Sequence, residues 1–300
     1  MSKKGVVLVF LTALISGIAI FLNAFGVRGI DSSIFTFSKN VLVAVFLLSI
    51  IGIFGQFKEI RKLSVKSWLM LALIGFVGGS IPFLLFFRGL QLATGPTSAF
   101  IHKTLFIYAA VLAFIFLKEK LNWKMLILAG FILLGNFLLL EVSDFSFGKG
   151  ELLVLAATLF WATENIISKY TLRELSGNLV AFGRMVFGSF FILIFLFFTN
   201  KASLLLELGV NHLAWILVSS VILLLFVVTY YNGLKTVNVS TATTILLMGS
   251  PITLLLNFLF IGEKINPAQL IGIFLVFVGA SAIVYIFEKV TIQEEIISQA

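Results

Sequence analysis

Phe87-Arg88-Gly89-Leu90 and Tyr231-Asn232-Gly233-Leu234 stand 144 residues apart, each closing a long apolar segment. Lys118-Glu119-Lys120-Leu121-Asn122 and Gly262-Glu263-Lys264-Ile265-Asn266 repeat that offset, and so do Gly135 and Gly279. A single offset for three landmarks means that the intervening elements keep their lengths, which marks one module used twice. Both copies are strongly apolar, so the module is a membrane unit, and paired membrane repeats point to a transporter.

Composition agrees. Of 300 residues, 60% are hydrophobic and 11% charged, with a mean hydropathy of +1.16. Soluble domains run near about half apolar and about a quarter charged, so a bilayer is the solvent that fits. Apolar segments extend from Val6 to Phe287, and the one polar end is Glu288 to Ala300. The net charge of +8 sits in loops, where it sets orientation rather than signalling a nucleic-acid partner. The absence of cysteine excludes disulfides, thiol catalysis and cysteine metal sites. Lys3-Lys4 precede an apolar run with no clear small-x-small cleavage site, which reads as an uncleaved first span.

A helix needs about 20 apolar residues to cross the hydrocarbon. Ten segments qualify: 5–25, 33–54, 67–90, 95–117, 122–142, 150–170, 177–199, 211–234, 239–261 and 266–287. Turn signals at Gly95-Pro96, Asn122-Trp123, Ser176-Gly177 and Asn266-Pro267 fall where the next helix starts. With the N-terminus inside, thirteen basic residues lie on the inner side and five on the outer, leaving Lys39, Lys103 and Arg184 of the 21 within spans. That bias predicts cytoplasmic N- and C-termini. Five spans per copy is odd, so the second copy enters the membrane inverted. The fold expected is an all-α membrane protein of ten transmembrane helices in two inverted five-helix repeats, 1–144 and 145–288, with a polar cytoplasmic tail at 289–300. Inverted repeats supply two pseudo-symmetric conformations, the basis of alternating access.

These features resemble the drug/metabolite transporter superfamily, specifically its EamA-type members. Glu119 and Glu263, in Lys118-Glu119-Lys120 and Gly262-Glu263-Lys264, are similar to that family's Gly/x-Glu-x signature after the fourth span of each copy. Ala157 to Lys169 resembles its first span, with Trp161 and a late Lys, and Phe182-Gly183-Arg184 its aromatic-x-Arg. Ser16-Gly17 and Ala162 depart from the family's Trp-Gly pattern. The resemblance implies transport of small organic solutes, many of them amino acids and related metabolites, often outward. It also implies a central cavity bounded by the third, fourth, eighth and ninth spans with the first and sixth.

Charges inside the bilayer cost at least about 2.5–3.5 kcal/mol each on insertion scales, so they are functional candidates. Lys103, with His102 before it and Phe106 on its stripe, lies roughly 10 Å from the outer side at 1.5 Å per residue. Glu164 shares a stripe with Trp161 and can hold an ammonium group, carry a proton or pair with Arg184. The depths of Lys103 and Glu164 differ by roughly 12 Å along the normal, too far for one amino-acid headgroup to bridge if the helices are straight. Arg184 and Lys39 are read as ties between helices. Tyr230, Tyr231 and Arg88 close their spans as substrate contacts or interfacial belts. Gly75 and Gly79 form a GxxxG pair for close helix contact or, with Pro82, a gating kink. Pro251 frees a carbonyl in the ninth span, and Asn136 and Asn257 are read as bonding between helices.

The sequence has no nucleotide-binding loop and no HExxH metal motif, and no paired carboxylates fall on one intramembrane helix face, so neither cofactor, metal nor catalytic group is expected. The function expected is secondary transport of a small organic metabolite, an amino acid or related compound, by alternating access and outward. The setting is a prokaryotic plasma membrane, with possible proton coupling, as a monomer or homodimer. The alternatives are a carrier of anionic solutes such as sugar phosphates and a membrane-embedded enzyme acting on a lipid intermediate.

Overall fold

The computed structural model describes residues 2–93, 95–120, 123–141 and 148–299, with residues 95, 125, 284–285 and 287–299 given by their backbone alone. Leu121 and Asn122, which close the first copy's motif and open its expected turn, lie outside the described residues. The first copy comprises α1 (Lys3–Gly26), α2 (Ser32–Ile53), a short α3 (Phe57–Arg61), α4 (Val65–Gly79), α5 (Ile81–Leu90), α6 (Gly95–Lys103), α7 (Leu105–Leu117) and α8 (Trp123–Leu139). The second comprises α9 (Lys149–Thr171), α10 (Gly177–Phe198), α11 (Val210–Leu234), α12 (Val239–Leu246), α13 (Gly249–Ile261) and α14 (Pro267–Gln299). Eight helical rods are long and apolar enough to span a membrane, and the apolar stretches Leu126–Leu139 and Pro267–Ile283 bring the spans to ten.

Three spans expected as continuous are broken. The third divides at Ser80, whose backbone (φ −131°, ψ −73°) leaves the helical region. The fourth divides at Thr104, the ninth at Leu247-Met248. Thr104 and Met248 are one repeat offset apart, so this break belongs to the module. The third-span break has no counterpart, since α11 runs uninterrupted. Proline explains two of the three. Pro82 has no N–H for the carbonyl of Gly78, and Pro251 none for that of Leu247, each four residues earlier. A carbonyl freed inside a membrane needs another donor. Leu247 receives the Asn136 side-chain amide at 3.2 Å, so Asn136 does bond between helices. Asn257 instead bonds locally, donating to Glu263 at 2.8 Å. At Thr104 the hydroxyl donates to the Ile101 carbonyl at 2.6 Å. The segment expected as a tail beyond Glu288 continues α14 to Gln299.

The paired Glu motifs have a conformational cause. Lys118 (φ 57°) ends α7 and Gly262 (φ 78°) ends α13, both in the left-handed region. Glycine adopts it freely, whereas a side chain there costs roughly 1–2 kcal/mol. Lys118→Gly should relieve that strain against roughly 0.5–1 kcal/mol of added unfolded-chain entropy. We expect the thermal midpoint in detergent to rise by about 1–2 °C, and a fall would show that Lys118 makes a compensating contact.

The copies interlock through small residues. A Cβ on Gly79 would lie 3.0 Å from Gly188 Cα, and one on Gly75 would lie 2.4 Å from Phe187 Cβ, so α4 and α10 meet backbone to backbone. Gly135 and Gly272 bring α8 onto α14 in the same way. Helix α2 packs on α10 and α11, and α9 is surrounded by α4, α5, α6 and α7. The second copy's first helix is therefore embedded in the first copy, which places its polar residues at the seam.

Candidate functional site

Helix α9 carries Trp161, Glu164, Asn165 and Ser168 at spacings of three and four, which puts them on one helical face. All four are buried. That face meets the break in the third span. The carbonyl of Gly78, freed by Pro82, accepts from Trp161 Nε1 at 3.1 Å and from an Arg184 terminal nitrogen at 3.0 Å. The next carbonyl, Gly79, accepts from Asn40 Nδ2 at 3.1 Å. Three helices thus send donors to two consecutive carbonyls. Asn40 precedes Arg184 by one repeat offset, so equivalent positions of the two copies both donate to the single break in the first copy's third span.

Glu164 faces the same point. A Cβ built on Gly78 would lie 2.1 Å from Glu164 Cγ. Its Oε1 accepts from the Tyr231 hydroxyl and the Ser168 hydroxyl, each at 2.6 Å. The neighbouring Tyr230 donates to Asn165 Oδ1, and Asn165 donates to the Trp161 carbonyl at 2.8 Å. Both tyrosines are buried and bonded within the protein rather than set in an interfacial belt. No ion pair closes between Glu164 and Arg184 among the described residues, because the guanidinium is committed to Gly78.

The fourth span joins through Trp161. The His102 ring lies 4.8 Å from it, and Phe86 and Phe83 complete an aromatic wall at 5.5 and 5.3 Å. Trp161 therefore meets the His102 ring of the fourth span with its own ring and the Gly78 carbonyl of the third with its indole N–H. Lys103 ends α6 at the fourth-span break, 8% exposed, with neither an ion pair nor a hydrogen bond to it among the described residues. Several buried polar atoms on α2, α6 and α10 also lack a protein partner among the described residues: Arg184 Nε, Asn40 Oδ1, His102 Nδ1 and Ser98 Oγ.

The other sequence candidates stand apart. Arg88 is exposed on the last turn of α5 and donates to Gln91 at 2.9 Å. Phe106 is packed in the apolar core. Lys39 is buried with its ammonium 4.4 Å from the Phe35 ring centroid, an arrangement that favours a cation. Glu119 lies at the N-terminus of α12 and Glu263 at the end of α13. Asn40, Asn165 and Ser98 were not singled out from the sequence. Asn40 was detectable by subtracting the repeat offset from Arg184; nothing distinguished Asn165 or Ser98 from other small polar residues.

Ten apolar spans in two copies, meeting at a buried polar and charged seam, define the class: a multi-pass membrane transporter. The model of the EamA-like transporter family matches residues 3–141 and again 148–285, and the chain belongs to that family. Among its relatives, "Uncharacterized transporter YyaM" of Bacillus subtilis (strain 168) is 23% identical over 249 residues, 80% of each chain. "Uncharacterized transporter sll1164" of Synechocystis is 24% identical over 244 residues, 75% of this chain and 68% of that one. "Uncharacterized transporter in cobO 3'region" of Sinorhizobium sp is 31% identical over 114 residues, 38% of this chain and 80% of that one. A solved structure described as "Crystal structure of protein" superposes with a TM-score of 0.79 over 95% of this chain and 98% of its own, at 16% identity. That likeness concerns the fold.

Proposed function

We propose that the chain is a secondary transporter of a small organic metabolite, an amino acid or a related compound, moved outward by alternating access. The two five-helix copies, 1–144 and 145–288, exchange conformations around the seam, with 289–300 as a polar extension. The face bearing most of the basic loops, with both termini, is cytoplasmic in the plasma membrane of a prokaryote. The solute binds against Trp161, His102, Lys103, Glu164 and Tyr231, with Arg88 met only on entry or exit. The protein performs no catalysis.

One observation carries this reading: four buried polar atoms and one buried ammonium, on α2, α6 and α10, have no hydrogen-bond partner among the described residues. Each unpaired buried donor or acceptor costs about 1–3 kcal/mol. A solute with both donors and acceptors would recover part of that cost on binding, and more selectively than water. The seam is also where both copies contribute, as alternating access requires.

A second reading is favoured by charge. Lys39 and Lys103 are buried with no ion pair to an acid among the described residues, whereas Glu164 and Glu151 are buried carboxylates on α9, Glu164 facing Arg184's helix. An anionic solute would offset that excess. Counterflow in proteoliposomes preloaded with separate amino-acid and organic-anion pools separates the two readings. Saturable, trans-stimulated uptake from the amino-acid pool supports the first, and uptake from the anion pool alone supports the second. No exchange from either pool in folded protein would remove both.

A further inference from the structure

The two Glu motifs occupy equivalent positions, yet they do different things. Glu119 reaches across the copies to the start of α12. Its Oε1 accepts from the Val239 amide at 2.8 Å, and its Oε2 from the Ser240 amide at 3.2 Å and the Ser240 hydroxyl at 2.9 Å. Asn238, the residue at the N-cap of α12, provides no side-chain cap of its own, so Glu119 supplies it from the other repeat. On the other side of the same turn, Lys169 donates to the carbonyls of Leu234 at 2.7 Å, Lys235 at 3.2 Å and Val237 at 2.8 Å. The connection between α11 and α12 is therefore held by a carboxylate on helix-start amides and an ammonium on helix-end carbonyls. Both placements agree with the helix dipole. Six hydrogen bonds, all involving a charged partner, converge on the segment from Leu234 to Ser240, and charged hydrogen bonds are about twice as strong as neutral ones.

Among the described residues, the equivalent place in the other copy lacks this device. Glu263 is exposed and accepts from Asn257, within its own span's end, at 2.8 Å. The positions equivalent to Val239 and Ser240 are Gly95 and Pro96, and proline has neither an amide nor a hydroxyl hydrogen to give. The position equivalent to Lys169 is Phe25, which stacks on Trp215 at 6.1 Å. Packing follows the same asymmetry. Helix α12 lies along α7, whereas the equivalent pair, α6 and α13, shows no comparable contact among the described residues.

We infer that Glu119 and Lys169 form a latch that closes the basic face, and that the chain rests with that face shut and the opposite face free to open. Glu119 touches no solute. It sets which side the seam faces, and its release from Val239 and Ser240 is the step that admits the solute from the basic side. The inference rests on the alternating-access reading, but its test needs no solute.

The chain contains no cysteine, so one introduced thiol reports without background. Ala242, fully buried on α12, is the reporter position. Ala242→Cys protein is labelled with a membrane-impermeant maleimide applied to the basic face. Labelling should be slow with Glu119 present and at least tenfold faster with Glu119→Gln, whose amide group cannot accept at both oxygen positions. Glu263→Gln should leave the rate within twofold. Should Glu119→Gln fail to elute as a monodisperse species, Ser240→Ala provides the reading. It removes the hydroxyl bond alone and should raise the rate roughly threefold. Unchanged labelling in the folded Glu119→Gln protein, or in Ser240→Ala where that one is read, would overturn the latch. So would an equal rise from Glu263→Gln. Failure of the transport reading would appear in counterflow and leave these rates as they are.

Discussion

Glu164→Gln should reduce counterflow at least tenfold while the protein stays folded. The glutamine oxygen can still accept from the Tyr231 and Ser168 hydroxyls that Glu164 Oε1 receives at 2.6 Å. Only the charge is removed. The seam then keeps the buried cations Arg184 and Lys103 with no acid near them, and a charge at such depth costs at least about 2.5 kcal/mol on insertion scales. Any step that relies on Glu164, whether holding an ammonium group or carrying a proton, loses its anion. Tyr231→Phe is the matched control. It deletes one hydrogen bond, worth about 1.5–3 kcal/mol where one partner is charged, and leaves the carboxylate in place, so its effect on exchange should be the smaller. Exchange by Glu164→Gln within twofold of the parent, at equal incorporation into vesicles, would mean that the carboxylate serves only to hold α9 against α11.

Such a test depends on residues whose individual importance was legible in the sequence but whose relation was not. The spans could be read because a bilayer imposes length and hydrophobicity on every helix that crosses it. The repeat could be read because equal spacing survives where side chains diverge. The breaks were harder. Pro82 and Pro251 announce lost hydrogen bonds, yet Thr104 breaks its span with no proline or glycine beside it, and only its equivalence to Met248 marks the site. Depth reasoning on straight helices kept Lys103 and Glu164 apart. Trp161 meets a neighbour of each, the His102 ring that precedes Lys103 in sequence and the Gly78 carbonyl beside which Glu164 packs. Asn40 was overlooked in favour of Lys39, since charge draws notice. The offset shows that the neutral neighbour is the partner of Arg184, and the hydrogen bonds to Gly78 and Gly79 agree. The different use of Glu119 and Glu263 has no trace in the motif itself. It follows from what each meets, two amides and a hydroxyl of the other copy in one case and a side-chain amide of its own span in the other.

Gly78 is the point on which this arrangement turns, and Gly78→Ala should show it. The added Cβ would lie 2.1 Å from Glu164 Cγ and 2.8 Å from its Cδ, well inside van der Waals contact. Because Glu164 is hydrogen-bonded to Tyr231 on α11 and to Ser168 on its own helix, it cannot swing away without giving up one of them. Overpacking of this kind costs about 1–3 kcal/mol, so the thermal midpoint should fall and counterflow with it. Glu164→Ala removes both clashing atoms and leaves only Cβ, 3.1 Å from the new methyl. Adding Gly78→Ala to that background should therefore cost little further stability, and the two substitutions should be strongly non-additive, as contacting residues are. Transport should stay low in both single variants and in the double, since relieving the clash does not restore the carboxylate. If the stability losses simply added, Gly78 would matter for the helix break alone. The carbonyl that Trp161 and Arg184 share, rather than the space beside it, would then be what positions the seam.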